Sequence, residues 1–280
     1  MKYLVLHFKF DNTEEFVADV LAAQLGEIGF DSFVKTTEGL DAYILEKEFN
    51  EASLSQLISD FPFDAEITFK KEHLEDKNWN EEWEKNFFEP IIISDKCIIH
   101  STFHKDIPKL PYDIIINPKM AFGTGHHETT SLIITEILET EMKGKRVLDM
   151  GCGTSVLAIL ASMRGASELT AIDIDDWCVD NSLENLALNN IKNVDVKLGD
   201  ASLLPGIQFD IILANINRNI LLNDMASYVN CLSKGGLLFI SGFYTEDVPI
   251  LEKKANELGM KMLYFKQKNN WAAMKLVRSI

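Results

Sequence analysis

From Arg146 onward, apolar and β-branched runs of five to seven residues alternate with segments of helical periodicity, and few architectures accept that order. Strands are expected at 146–150, 168–173, 194–200, 209–215, 236–242, 261–267 and 271–277. Helices are expected over 154–164, 176–190, 217–231 and 246–257. Strands separated by helices need crossover connections, which give a doubly wound, mostly parallel sheet of seven strands. Only residues 268–270 lie between the last two strands, so these form a hairpin and the final strand runs antiparallel, as a mixed edge. Open sheets of this kind bind ligands at the carboxyl ends of their strands, near the switch in strand order.

The stretch VLDMGCGTSVLA, residues 147–158, meets that description. A strand ends in Asp149, Gly151 and Gly153 form a tight turn, and a helix opens at Thr154 and Ser155. Glycines at such a turn adopt positive φ and let backbone approach a ligand, while the first helical N–H groups face polar atoms. The same string also serves as a plain turn, so the neighbouring strand ends decide. A dinucleotide site needs a third glycine three residues beyond Gly153, where this chain has Val156. Asp149 would repel a pyrophosphate but suits a ligand carrying ammonium and sulfonium groups. Asp173, 22 residues after Gly151, stands where a carboxylate accepts ribose hydroxyl protons, and Asp200 could accept from an adenine amine. Each acid alone could be a strand-end turn residue or a helix cap. Three at successive strand ends of one sheet favour a cationic, adenosine-bearing ligand.

Upstream, residues 2–10 alternate Leu4, Leu6, Phe8 and Phe10 on one face, and a helix is expected over 13–28, capped by Asn12 with Glu15. Strands at SFVKT and DAYILEKE, a helix near 51–59 and the strand AEITFKK complete β-α-β-β-α-β, the order of a small ferredoxin-like α+β domain over 1–73. This domain holds no catalytic constellation and reads as a recognition module; His7 and His73 read as packing or surface residues. Residues 74–95 form a linker in which Trp79, Trp83 and Phe87 recur every four residues as the aromatic stripe of a docking helix. The third region is 96–280. It opens with short strands at IIIS, KCIIHST and YDIIIN around the linker's end, then the loop AFGTGHHETT, where Gly123 and Gly125 flank Thr124 and a helix begins near Thr129 and Thr130. That loop could close over a ligand. His126 and His127 lack spaced partners for a metal.

Net charge is −16, and residues 1–73 alone hold 15 acids against 6 lysines and no arginine. This argues against nucleic acid as the main partner, since phosphate binding needs a clustered basic face, and favours a basic partner. The four cysteines, Cys97, Cys152, Cys178 and Cys231, show no metal or disulfide spacing and read as reduced core thiols. No run is long enough to span a membrane and no leader precedes the first strand, so the expectation is a cytoplasmic protein without membrane contact.

DMGCGTSVLA, AIDID, LGDA and LANI, in that order, resemble the class I S-adenosylmethionine-dependent methyltransferases. AFGTGHHETT, the W-x-x-x-W linker and the small first domain resemble, more narrowly, the PrmA family, whose members methylate large-subunit ribosomal protein L11. The likeness spans essentially the whole chain. It implies S-adenosyl-L-methionine as cofactor, no metal, and methyl transfer to lysine and N-terminal amines, with residues 1–73 gripping the ribosomal protein. It implies contacts to the cofactor from Thr130, Gly151, Asp173 and Asn215, to which the residue reading adds Thr124, Asp149, Gly153 and Asp200. Asn215, ending the strand FDIILAN, would present oxygens to the amine and is the expected catalytic residue. The family pattern has glycine at 155, and threonine and proline at 126 and 128, where this chain has Ser155, His126 and Glu128; Ser155 is expected to cap the helix. Two other classes stay open: a methyltransferase acting on a nucleic-acid base or a small molecule, and a non-catalytic module of the same fold.

Overall fold

Successive side chains of a strand face opposite sides of its sheet, so the alternation of Leu4, Leu6 and Phe8 is buried only where helices cover one side. The computed structural model describes residues 3–10, 15–36, 39–63, 67–74, 89–117, 119 and 121–279. It falls into two units, Met1–Trp79 and Asn80–Ile280.

The first unit comprises β1 (Tyr3–Phe10), α1 (Glu15–Glu27), β2 (Ser32–Thr36), β3 (Gly39–Leu45), α2 (Glu51–Ser59) and β4 (Ile67–Leu74). Its sheet order is β2-β3-β1-β4, antiparallel throughout, which is the split βαβ arrangement expected from the sequence. Leu4, Leu6 and Phe8 meet Leu21 and Leu25 of α1 and Leu54 of α2 in one core. Asn50 caps α2, its side chain accepting from Ala52 N and Ser53 N. The expected cap at Asn12 and the aromatic linker helix at residues 78–88 lie outside the described residues.

In the second unit β5 (Ile91–Ile93), β6 (Cys97–His100) and β7 (Tyr112–Ile115) form a three-stranded sheet in that order. After α3 (Glu128–Glu139) come β8 (Arg146–Met150), α4 (Val156–Met163), β9 (Glu168–Asp173), α5 (Asp176–Leu188), β10 (Val194–Leu198) and β11 (Phe209–Asn215). Then α6 (Arg218–Cys231), β12 (Leu232–Tyr244), α7 (Val248–Glu257), β13 (Met260–Lys268) and β14 (Trp271–Arg278) complete it. The seven-stranded sheet has the order β10-β9-β8-β11-β12-β14-β13. One core joins α3, α4 and the three-stranded sheet to it through Ile133, Ile137 and Leu160; a second joins α6 and α7 through Leu221, Met225 and Leu251.

Two expectations are corrected. The final strand is antiparallel, as the short hairpin requires, but it is not an edge: β14 inserts between β12 and β13, and β13 takes the edge. Its residues Ala272, Ala273, Met274 and Leu276 are buried, as an interior strand demands. The helix expected from 154 starts at Val156, because Ser155 stands in the left-handed region at φ 61°. All four cysteines are buried, and burial pushes the Cys97 and Cys152 thiols up to about 12. Among the described residues no helix is long and apolar enough to cross a membrane.

Candidate active site

β8 has β9 on one side and β11 on the other, so the chain reverses its direction of sheet growth there and the loops after the two strands diverge. The crevice between them holds a cavity of about 1030 Å³, lined by residues that follow β8, β9, β10 and β11. Gly151 and Gly153 form its floor, with φ of 71° and 51°. A Cβ on Gly151 would lie 2.3 Å from Ile216 Cγ2, and one on Gly153 2.2 Å from Phe122 O, so both positions require glycine for space as well as backbone angle. The turn is held from three directions. Gly153 N donates to Asp173 Oδ2 at 2.9 Å, Thr154 N to Phe122 O at 2.9 Å, and Thr154 Oγ1 to Gly123 O at 2.7 Å.

Of the residues singled out in the sequence, Gly151, Gly153, Asp173, Asp200 and Asn215 line this cavity. Asp173 takes the Gly153 and Asp175 amides, one on each oxygen, which leaves each oxygen a further lone pair for a ligand donor. Asp200 accepts from Ser202 N at 2.8 Å, and the Ser202 hydroxyl first, with that backbone bond, holds its carboxyl below the ordinary range. Asn215 Nδ2 donates to Thr130 Oγ1 at 3.2 Å. Its Oδ1 is buried and has no hydrogen-bond partner among the described residues.

Three expectations are not met in the geometry. Asp149 does not line the cavity: it is buried beneath the turn, where Oδ2 accepts from Ala158 N of α4 at 3.1 Å. Burial pushes its carboxyl up to about 8, the Asp173 charge adding to the rise and the Ala158 bond opposing it. Thr124 is occupied within its own loop, accepting from His126 N. Thr130 is buried away from the cavity lining and is joined to it by its bond with Asn215. The loop contributes Phe122 to the cavity instead.

Sequence reasoning also passed over apolar groups at the rim. Ile174 and Trp177, 65% and 55% exposed, flank Asp175 at the start of α5, and Asp224 faces the cavity from α6. The available signal was two large apolar residues within a run of acids, IDIDDW, where a solvated turn needs none. His127 has a local role: its Nδ1 accepts from Thr129 N to cap α3, and its ring meets Trp271 at 4.6 Å. Asp173, Asp175 and Cys178 bring ligand atoms within 4.8 Å of one another.

Glycine cradle, strand-end acids and a buried asparagine with a free oxygen line one cavity, and comparison with known proteins gives it a lineage. The sequence profile of the ribosomal protein L11 methyltransferase (PrmA) family matches residues 19–279. The chain belongs to the ribosomal protein L11 methyltransferase family. Among relatives bearing that name, one from Phocaeicola vulgatus is 58% identical over 279 residues, covering 99% of each chain. Another, from Chlorobaculum tepidum, is 32% identical over 274 residues, covering 94% of this chain and 93% of that protein. The crystal structure of a ribosomal protein L11 methylase from Lactobacillus delbrueckii subsp. bulgaricus superposes with a TM-score of 0.64 at 26% identity, covering 70% of this chain and all of that one. The φ of 61° at residue 155 accounts for the glycine of the PrmA pattern. Ser155 makes no cap bond; its hydroxyl donates instead to Ser182 Oγ at 2.8 Å.

Proposed function

We propose that this chain transfers methyl groups from S-adenosyl-L-methionine to lysine and N-terminal amines of ribosomal protein L11, in the cytoplasm. The observation that carries the reading is Asn215 Oδ1, a buried acceptor without a partner among the described residues, set on the cavity at the switch point. Leaving a buried acceptor unpaired costs about 1–3 kcal/mol, so on a residue of a cavity wall it favours a ligand that brings a donor. A neutral or singly protonated amine is such a donor.

The residues present fit the cofactor. Asp173 and Asp200 have spare lone pairs for hydroxyl and amine donors, Gly151 and Gly153 leave a space that a Cβ would fill, and Phe122, Ile174 and Trp177 offer apolar surface to a flat ring. The acids around the cavity, Asp173, Asp175, Asp200 and Asp224, suit a ligand with net positive charge. When bound, S-adenosylmethionine supplies a methyl group on a positively charged sulfur.

The protein's contribution is then orientation. Thr130 fixes the Asn215 amide by accepting from Nδ2, which leaves Oδ1 as the amide's free acceptor among the described residues. An uncharged amide oxygen aligns the amine through its hydrogens without stabilising the ammonium form as a carboxylate would. A free lysine titrates near ~10.4, so burial beside an uncharged acceptor helps the nitrogen to enter with its lone pair free. With the amine so aligned and its proton released to water, positioning by these residues would supply most of the acceleration of methyl transfer.

We further propose that residues 1–73 form the recognition domain and 74–95 the connection to the catalytic region. The acidic composition of that first region supports a basic protein as its partner, over a nucleic acid. The test is methyl incorporation from labelled S-adenosylmethionine into purified L11, alongside calorimetry of cofactor binding. Label in L11 and a single cofactor site are expected; cofactor binding with label only in RNA or small solutes would overturn the substrate. Asn215→Ala should lower turnover at least about 100-fold, an effect of the size one positioned group supplies, with the cofactor dissociation constant within about threefold. Unchanged turnover removes Asn215 from the mechanism.

A further inference from the structure

Asparagine is a poor helix former, yet α5 and the residue that ends it carry Asn181, Asn185 and Asn189 at intervals of four, on one face. Asn181 and Asn185 are fully buried. Each side-chain amide bonds backbone, and Asn185 Nδ2 also donates to Asn181 Oδ1 at 3.1 Å. Asn189 Oδ1 accepts from Ile115 N at 2.9 Å while its Nδ2 donates to Ile115 O at 2.6 Å. Asn185 Oδ1 accepts from Asn117 N at 3.0 Å, and Asn181 Nδ2 donates to Asn117 O at 2.7 Å. Residues 115 and 117 are alternate positions of the strand run that continues β7, whose opposite edge faces β6; Ile116 N, between them, donates to His100 O. Four residues of helix rise ~6.0 Å and two of strand ~6.6 Å, so a row of amides at i, i+4 and i+8 matches the spacing of donors and acceptors on a strand edge. The asparagine row serves that edge as a substitute strand.

The same row reaches the glycine turn. Asn185 Nδ2 donates to Thr154 O at 3.1 Å, and beside it Ser182 Oγ donates to Gly153 O at 2.8 Å. The segment that the asparagines hold leads to Phe122 and Gly123, whose carbonyls accept from Thr154. The backbone groups of Gly153 and Thr154 bond to Asp173, to α5 and to Phe122 beyond the segment pinned on α5, whereas Gly151 N and Cys152 N donate to Ile172 O of β9.

We infer that Asn185, with Ser182, is a positioning residue for the methyl donor: the polar face of α5 sets the Gly153–Thr154 backbone against the cavity, and Asn181 and Asn189 extend the brace to the segment at 115–117. This rests on the proposed use of the cavity by S-adenosylmethionine. The ordering follows from the bonds. Asn185 touches the turn directly, Asn181 bonds the Asn185 amide that holds the turn, and of these groups Asn189 reaches only the Asn185 backbone carbonyl.

The test compares Asn185→Ala, Asn181→Ala and Asn189→Ala in the full chain, well below each variant's unfolding temperature. Asn185→Ala is expected to weaken S-adenosylmethionine binding about tenfold, with turnover at saturating cofactor within about twofold of wild type. Asn181→Ala is expected to weaken it less, and Asn189→Ala to leave it unchanged despite a comparable loss of melting temperature. Affinity that follows melting temperature across the three, or that is unaltered in Asn185→Ala, overturns the proposal. A ligand-free measurement separates it from the reading on which it rests: amide hydrogen exchange at Gly153 and Thr154 should accelerate about tenfold in Asn185→Ala, relative to the change in β9 amides. Wild-type protein that fails to bind the cofactor would refute the functional reading, and unchanged exchange would refute the brace.

Discussion

Ser155 combines an unfavourable backbone angle with a compensating bond. The left-handed region costs a non-glycine residue about 1–2 kcal/mol, and the buried hydroxyl bond to Ser182 returns about 1 kcal/mol. Replacement by glycine removes both terms, so Ser155→Gly should change unfolding free energy by no more than about 1 kcal/mol. Ser155→Val keeps the strain, adds β-branching and loses the bond, and should cost about 3 kcal/mol in urea denaturation. Asp149, on the strand side of the turn, gives a prediction with a sign. Its folded carboxyl sits at about 8 against an ordinary value of 3.8, because burial disfavours the charge. Between those values the folded state holds a proton that the unfolded state has released, so its contribution is full below the lower value and is lost as pH rises through the upper one. The gradient is at most about 1.4 kcal/mol per pH unit. Asp149→Asn keeps an acceptor for Ala158 N and cannot ionise; its stability relative to wild type should climb from pH 5 to pH 8 and then level off. A pH-independent difference would show that Asp149 is charged in the fold.

At the level of elements, the hairpin of β13 and β14 is fastened to α3 by a buried acid. Glu136 accepts from Tyr264 OH at 2.8 Å and pairs with Lys266 at 2.8 Å, while Lys275 stands 3.8 Å away with a side chain only 15% exposed. Burial and the Glu136 carboxylate push the Tyr264 phenol up to about 12. Glu136→Leu strands the Lys275 charge and should cost about 2–4 kcal/mol, with Glu136→Gln retaining part of it by still accepting from Tyr264. A loss below about 1 kcal/mol in both would mean that apolar packing alone holds the hairpin. None of this was legible in the sequence, because strand spacing gives the hairpin but not where it docks. Local periodicity did yield β8 to β11 within a few residues, the four-stranded first unit, and the acids at the ends of β9 and β10. It misplaced Asp149 because a strand-end acid looks the same whether it faces a ligand or the helix below. It missed the asparagine row because those residues satisfy the backbone of a segment about 70 positions earlier, and only the fold brings the two together.

Across the whole chain the charge is uneven. Residues 1–73 hold 15 acids against 6 lysines, while the remaining residues hold 28 acids against 21 lysines and arginines. Acids at the cavity rim continue that sign, so a basic protein approaching either unit meets a negative field, and a phosphate backbone is repelled by both. Fields between solvated charges fade over the Debye length, about 30 Å at 0.01 M and 8 Å at 0.15 M ionic strength. Bonds within the cavity act at contact and are screened much less. The two binding steps should therefore separate on a salt titration. Raising sodium chloride from about 20 to 300 mM should increase KM for L11 roughly tenfold, with kcat and the cofactor dissociation constant each within about twofold, because steering enters the encounter and not the displacement. A salt-insensitive KM would place recognition in apolar contacts. Parallel weakening of cofactor affinity would instead assign the salt effect to the rim acids, Asp175 and Asp224, and not to the first unit.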